Sequence, residues 1–140
     1  MHGEPAVTTY RISEPFDRAL RAVREALTRA ELSVVSEVDV SARVKRQLNL
    51  GFVPCRILLV DSPCLLLEAA AIDRAAAALL PLHVVLSARG PETLVYWMSP
   101  AAIEGVRLPM AAAPPLLKLQ SMLTRALERI AMPRNICQMA

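Results

Sequence analysis

The stretch CLLLEAAAIDRAAAALLPLHVVLSA, from Cys64 to Ala88, is the most apolar part of the chain and constrains its fold most strongly. A membrane-spanning helix needs about 20 consecutive apolar residues. Charged residues interrupt the first part of the stretch, and Pro81 separates that part from the β-branched pair Val84 and Val85. The pattern therefore predicts a helix followed by a strand, in a protein with no membrane partner, and not a transmembrane span.

The charges of this predicted helix, over Cys64–Leu80, do not form a polar side. Glu68, Asp73 and Arg74 lie at roughly 0°, 140° and 240° around the helix axis, because each residue turns by about 100°. A helix on the surface of a monomer normally has one polar face. We therefore expect a second copy of the chain to bury this helix, or the sheet edge beside it, in a two-fold dimer. The alternative cover is the C-terminal helix.

Periodicity along the rest of the chain predicts one α+β domain over residues 1–140, with the order β-α-β-(α)-β-α-β-β-α. Alternating or β-branched segments predict five strands: TTYRIS, LSVVSEVDV, FVPCRILLV, LHVVLSARG and ETLVYWMSP. Helical spacing of apolar residues also marks EPFDRALRAVREALTRA, SARVKRQL and LLKLQSMLTRALERIAM. The first of these carries oppositely charged pairs four residues apart, which is typical of a solvated amphipathic helix.

Composition narrows the class of protein. The hydrophobic fraction of 54% is too high for a disordered chain. Sixteen basic and thirteen acidic residues are interleaved, and a net charge of +3 is too small to indicate nucleic-acid binding. Three cysteines at irregular spacing, and a start without the pattern of a signal peptide, predict a cytoplasmic protein with free thiols.

The cysteines and histidines are the candidate metal or thiol residues. No two of Cys55, Cys64, Cys137, His2 and His83 have the two-to-four spacing of zinc sites, so we predict no metal and no cofactor. The expected role of the cysteines is that of small buried hydrophobes. The alternative is a thiol- or metal-dependent site around Cys55, Cys64 and His83. A cysteine sulfur near His83, with a carboxylate behind it, would favour that alternative.

Two further charged patterns are candidate sites. Glu37 and Asp39 share one side of a strand, and paired carboxylates can perform acid–base catalysis, but any solvated strand has the same spacing. Arg43, Lys45 and Arg46 form a basic cluster without the interleaved aromatic residues of single-strand binders. We predict no catalytic residue, and we favour a protein that is not an enzyme.

The aromatic residues of the fifth predicted strand indicate a binding surface. Trp97 alternates with Tyr96 and Met98, so it lies on one face of the sheet and they lie on the other. Helices must cover one face, and we expect the remaining face to line a shallow apolar cavity or contact surface. The candidate residues for binding a small apolar ligand or a protein partner are Cys55, Cys64, His83, Tyr96, Trp97 and Met98.

Several blocks in a fixed order resemble the domain of unknown function 302 family: SVVSEVDVSARVKRQLNLGF, PCRILLVDSP, ALLPLHVVLSARG and LVYWMSP. The resemblance covers about residues 8–100, which form the family-like core, and leaves 101–140 as a C-terminal loop and helix extension. It implies a TBP-like α+β fold, which is a curved antiparallel sheet with helices packed on one face, and a homodimer. Members are small, biochemically uncharacterised bacterial or archaeal proteins.

The chain departs from the family pattern at two turns. Many relatives have a Cys-Asn-Pro turn where this chain has Asp61-Ser62-Pro63, and many have Pro-Cys where it has Pro81-Leu82. The prolines remain, while the thiol and amide groups are absent. The resemblance therefore implies no thiol chemistry at these two positions.

Overall fold

The computed structural model describes residues 7–98 and 113–133, and within them the chain forms one sheet and four α-helices. The strands are β1 Val7–Ile12, β2 Ser33–Asp39, β3 Cys55–Asp61, β4 Leu82–Arg89, β5 Glu92–Met98 and β6 Met132–Pro133. The helices are α1 Phe16–Arg29, α2 Val40–Leu48, α3 Pro63–Ile72 and α4 Ala113–Glu128. The predicted order of elements is confirmed, and the short β6 is added after α4. His2, Cys137 and the predicted loop after Pro100 lie outside the described residues.

The sheet is antiparallel throughout, with the strand order β2-β3-β4-β5-β1-β6. Consecutive strands from β2 to β5 are neighbours, and β1 is placed between β5 and β6. A bulge between Val34 and Ser36 interrupts the register of edge strand β2. The predicted α+β class with an antiparallel sheet is therefore confirmed.

The two faces of the sheet differ in burial. Directly opposed residues of antiparallel strands point to the same side, and the register places Leu58, Val84 and Trp97 together on one face. All three are at most 2% exposed. They belong to a core cluster that includes residues of α1, α3 and α4, among them Val23, Leu27, Leu65, Leu119 and Leu123. This is the helix-covered face, and the opposite side is the open face.

The apolar stretch that predicted one helix up to Leu80 forms two segments. The α-helix α3 ends at Ile72, and Arg74–Leu79 continues as a 3₁₀-helix. Asp73 separates them, because its backbone is extended and its carboxylate accepts a hydrogen bond of 3.0 Å from the backbone N–H of Ala75. No helix in residues 7–98 and 113–133 is long and apolar enough to cross a membrane.

Helix α2 is a short excursion between the edge strand β2 and β3. The Asp39 carboxylate caps it by accepting a hydrogen bond of 3.0 Å from the backbone N–H of Ala42. The helix buries none of its side chains. Four large apolar side chains at its end and in the loop that follows are between 49% and 63% exposed: Leu48, Leu50, Phe52 and Val53.

Candidate functional site

Trp97 is a core residue and not part of an accessible binding surface. It is 2% exposed on the helix-covered face, and its indole Nε1 donates a hydrogen bond of 3.1 Å to the Thr124 hydroxyl of α4. Its ring stacks on that of Tyr10, with the two centroids 4.3 Å apart. The Tyr10 hydroxyl donates to Glu128 at 2.9 Å, and burial with this bond raises the pKa of Tyr10 to about 12. Both aromatic residues therefore fix α4 on the sheet.

Tyr96 and Met98 lie on the open face, as the alternation predicts. The register places Tyr96 opposite Val85, and Val85 opposite Ile57, which in turn faces Val38 of the edge strand. These four side chains form an apolar row across the middle of the open face, and each of them is half-buried. Met98, at the end of β5, is 38% exposed. The open face is thus apolar along its centre, and none of the helices in residues 7–98 and 113–133 packs on it.

The fold separates Cys55 from His83. Cys55 opens β3 and lies opposite Ser87, whereas His83 lies opposite Leu59. Four residues of strand separate the two positions, or about 13 Å along the sheet. Cys64 follows the other end of β3, in the first turn of α3, where it is exposed. Cys55 is buried, and burial raises the pKa of its thiol, which keeps it protonated and unreactive.

Metal-ligating groups do not converge either. Within the described parts of the chain, no cluster of three or more His, Cys, Asp or Glu residues could hold a metal ion. Asp61 lies on the same face as His83, two positions beyond Leu59 on the neighbouring strand. It is 6% exposed, its Oδ1 has no hydrogen-bond partner among the described residues, and burial raises its pKa. The structure thus supplies a carboxylate on the His83 side of the sheet, while the Cys55 sulfur lies four residues away along it.

The paired carboxylates of β2 are engaged in ion pairs. Glu37 accepts a hydrogen bond of 2.8 Å from Arg24 Nε of α1 and pairs with Arg56 of β3 at 3.3 Å. Arg56 also reaches Asp39 at 3.1 Å. The contacts with Arg24 and Arg56 lower the pKa of Glu37. Hydrogen bonds from the Ala42 backbone N–H and the Ser41 hydroxyl lower the pKa of Asp39. Because both carboxylates are held ionised, their structural role is to join α1 and α2 to the edge of the sheet.

Helix α3 exposes large apolar side chains although it packs against the rest of the fold. Helix α4 packs beside it, and Leu65 and Ala69 are buried. Leu67 and Ile72 remain 69% and 77% exposed, and Leu79 of the following 3₁₀-helix is 36% exposed. We call Leu67, Ile72 and Leu79 the α3 outer surface. The C-terminal helix therefore covers part of the apolar helix and leaves Leu67 and Ile72 accessible.

The fold and the comparisons define the class of this protein as a small α+β protein built on one antiparallel sheet with an open face. The sequence profile of the family described as Domain of unknown function DUF302 matches residues 8–130, which includes all of α4. The chain belongs to this family.

A solved structure supports the fold. The crystal structure of an uncharacterized conserved DUF302 protein from Bacillus stearothermophilus superimposes with a TM-score of 0.78. The two sequences are 18% identical, and the similarity covers 91% of this chain and 99% of the other. None of the curated proteins matches this chain.

Proposed function

We propose that the protein is a non-enzymatic homodimeric module, and that the α3 outer surface binds a second copy of the chain. The observation that supports this proposal is the uneven cover of α3. A helix that is apolar on all sides is normally buried on all sides. Here α4 and the sheet bury Leu65 and Ala69, while Leu67 and Ile72 are mostly exposed.

The size of the molecule is compatible with such an interface. A specific dimer commonly buries about 800 Å² on each partner. The chain exposes 8936 Å² in all, so about a tenth of its surface would be needed. Runs of three alanines in α3 and four in the 3₁₀-helix lie between the larger side chains, and small residues allow two copies of this element to approach closely.

The open face is proposed as a second platform, for a small apolar ligand or a protein partner. Its support is the half-buried row of Val38, Ile57, Val85 and Tyr96, which none of the described helices covers. The thiol- or metal-dependent alternative has less support, because the sheet register separates Cys55 from His83 by four residues. We also propose a cytoplasmic location, which three irregularly spaced cysteines support.

Native mass spectrometry of protein purified without tags or chelators tests these proposals together. The proposed function predicts twice the mass of the chain, with no metal. A monomer at micromolar concentration would contradict the dimer. A mass increment equal to zinc or iron, lost in C55S or C64S, would instead support the thiol- or metal-dependent alternative. A retained organic molecule, lost in Y96A, would support the open face as a ligand platform.

A further inference from the structure

A groove lies between the C-terminal halves of α1 and α4, away from the α3 outer surface. Its volume is about 300 Å³. Small and apolar side chains line it, including Ala26 and Ala30 from the α1 side and Met122 and Ile130 from the α4 side. Three arginines complete the lining: Arg29, Arg125 and Arg129. The site thus combines an apolar floor with guanidinium groups, and we call it the arginine groove.

Among the described residues, no carboxylate lines the arginine groove. Glu25 reaches Arg29 at 3.8 Å, but both side chains are more than half exposed, so this pair is weak and screened. Glu128 accepts its hydrogen bond from Tyr10, which lies on the sheet. Arg125 donates through Nε to the Ser121 carbonyl at 3.4 Å, which leaves the terminal nitrogens of its guanidinium for another partner.

Arginines near helix C-termini have an ordinary role, since they interact favourably with the helix dipole. That role explains why each arginine is tolerated, but it does not explain an apolar groove between them. Each helix end carries only about half a negative charge. The Glu128 carboxylate is turned toward Tyr10 on the sheet, and the three guanidinium groups exceed the two half charges and the Glu25 carboxylate together, so the side chains that line the groove are positively charged overall. An anion would relieve the repulsion between the arginines.

We propose that the arginine groove binds a small amphipathic carboxylate, with the carboxylate at the arginines and an apolar chain on the alanine, methionine and isoleucine floor. Arginine matches a carboxylate with two parallel hydrogen bonds. Arg125 lies in the last turn of α4 and Arg129 directly follows the helix, and both side chains line the groove. A volume of about 300 Å³ holds about ten non-hydrogen atoms when each takes the roughly 30 Å³ of a water molecule. A saturated carboxylate of about eight carbons has this size.

Isothermal titration calorimetry with the full chain tests this assignment with three probes. Octanoate combines charge and chain, octanol keeps the chain without the charge, and acetate keeps the charge without the chain. We expect saturable binding of octanoate alone. We expect R125Q and R129Q each to weaken octanoate binding by about tenfold, which is the loss of one charge-assisted hydrogen bond.

The matched control is R18Q, because Arg18 lies on the same helix α1 but pairs with Glu14 and does not line the groove. R18Q should bind octanoate with unchanged affinity. Arg18, Arg125 and Arg129 are all exposed, so the three variants should fold normally, which circular dichroism checks. The proposal is overturned if octanoate fails to bind at millimolar concentration, if octanol binds as tightly, or if R18Q weakens binding as much as R129Q.

Discussion

Helices α1 and α3 both cover the same face of the sheet, but only α3 exposes large apolar side chains to solvent. In α1 the large side chains Leu20, Val23 and Leu27 are at most 5% exposed, and charged residues occupy the other side. In α3 the buried Leu65 is matched on the outside by Leu67 and Ile72, which are mostly exposed. The fold of one chain accounts for the apolar residues of α1 but not for those of α3. A second copy is our explanation for that difference.

The largest expected effect contrasts a buried leucine of α1 with an exposed leucine of α3. L27A should lower the free energy of unfolding by about 3 kcal/mol, because Leu27 is fully buried and its loss leaves a cavity. L67A should lower it by less than about 0.5 kcal/mol under conditions that keep the chain monomeric, because Leu67 is 69% exposed. Urea unfolding followed by circular dichroism measures both. Equal losses would mean that α3 is packed differently from this description.

A smaller effect is expected where α1 meets the sheet edge. Arg24 and Arg56 hold Glu37 as an ion, so E37Q should lower the free energy of unfolding at pH 7 by about 1–2 kcal/mol. The folded-state pKa of Glu37 lies below its ordinary value of 4.5, so its stabilisation is present above pH 4.5 and is lost as the pH falls through the folded-state pKa. The difference between wild type and E37Q should therefore shrink in acid. A constant difference down to pH 3 would rule out this account of the ion pair.

The smallest effect is a gain in stability from a substitution of Asp61, the last residue of β3. Burial raises the pKa of Asp61 above its ordinary value of 3.8, so the folded chain favours the protonated form. That stabilisation is complete below pH 3.8 and is lost as the pH rises through the folded-state pKa. D61N keeps the shape without the charge, so it should raise the melting temperature at pH 7 and gain less at low pH. The control D17N, at an exposed position of α1, should give no gain.

The sequence predicted most of the fold because each local pattern agreed with its neighbours. The amphipathic pattern of α1 and the alternation of Tyr96, Trp97 and Met98 placed the same residues inside and outside as the structure does. The limits of α3 were wrong, since Asp73 competes with the helix by capping the next segment through its side chain. Composition alone could not distinguish an interruption on the helix surface from a break in the backbone.

Contacts between distant residues were beyond prediction from one sequence. The periodicity of α1 and α4 indicated two amphipathic helices, but not that Arg29, Arg125 and Arg129 line a common groove. In the same way, the spacing of Glu37 and Asp39 suggested a carboxylate pair, while Arg24 and Arg56 arrive from other elements. The separation of Cys55 from His83 follows from the register of β3 on β4, which neither segment encodes alone.

Sedimentation equilibrium at micromolar concentrations tests the central claim, that the exposed side of α3 binds a second copy, most directly. The wild type should sediment as a dimer, and L67E should sediment as a monomer, because it places a charge in the apolar interface. L50E is the matched control, since Leu50 is a similarly exposed leucine at the opposite end of β3, and it should remain a dimer. A monomeric wild type, or a dimer that L50E disrupts and L67E does not, would contradict the claim.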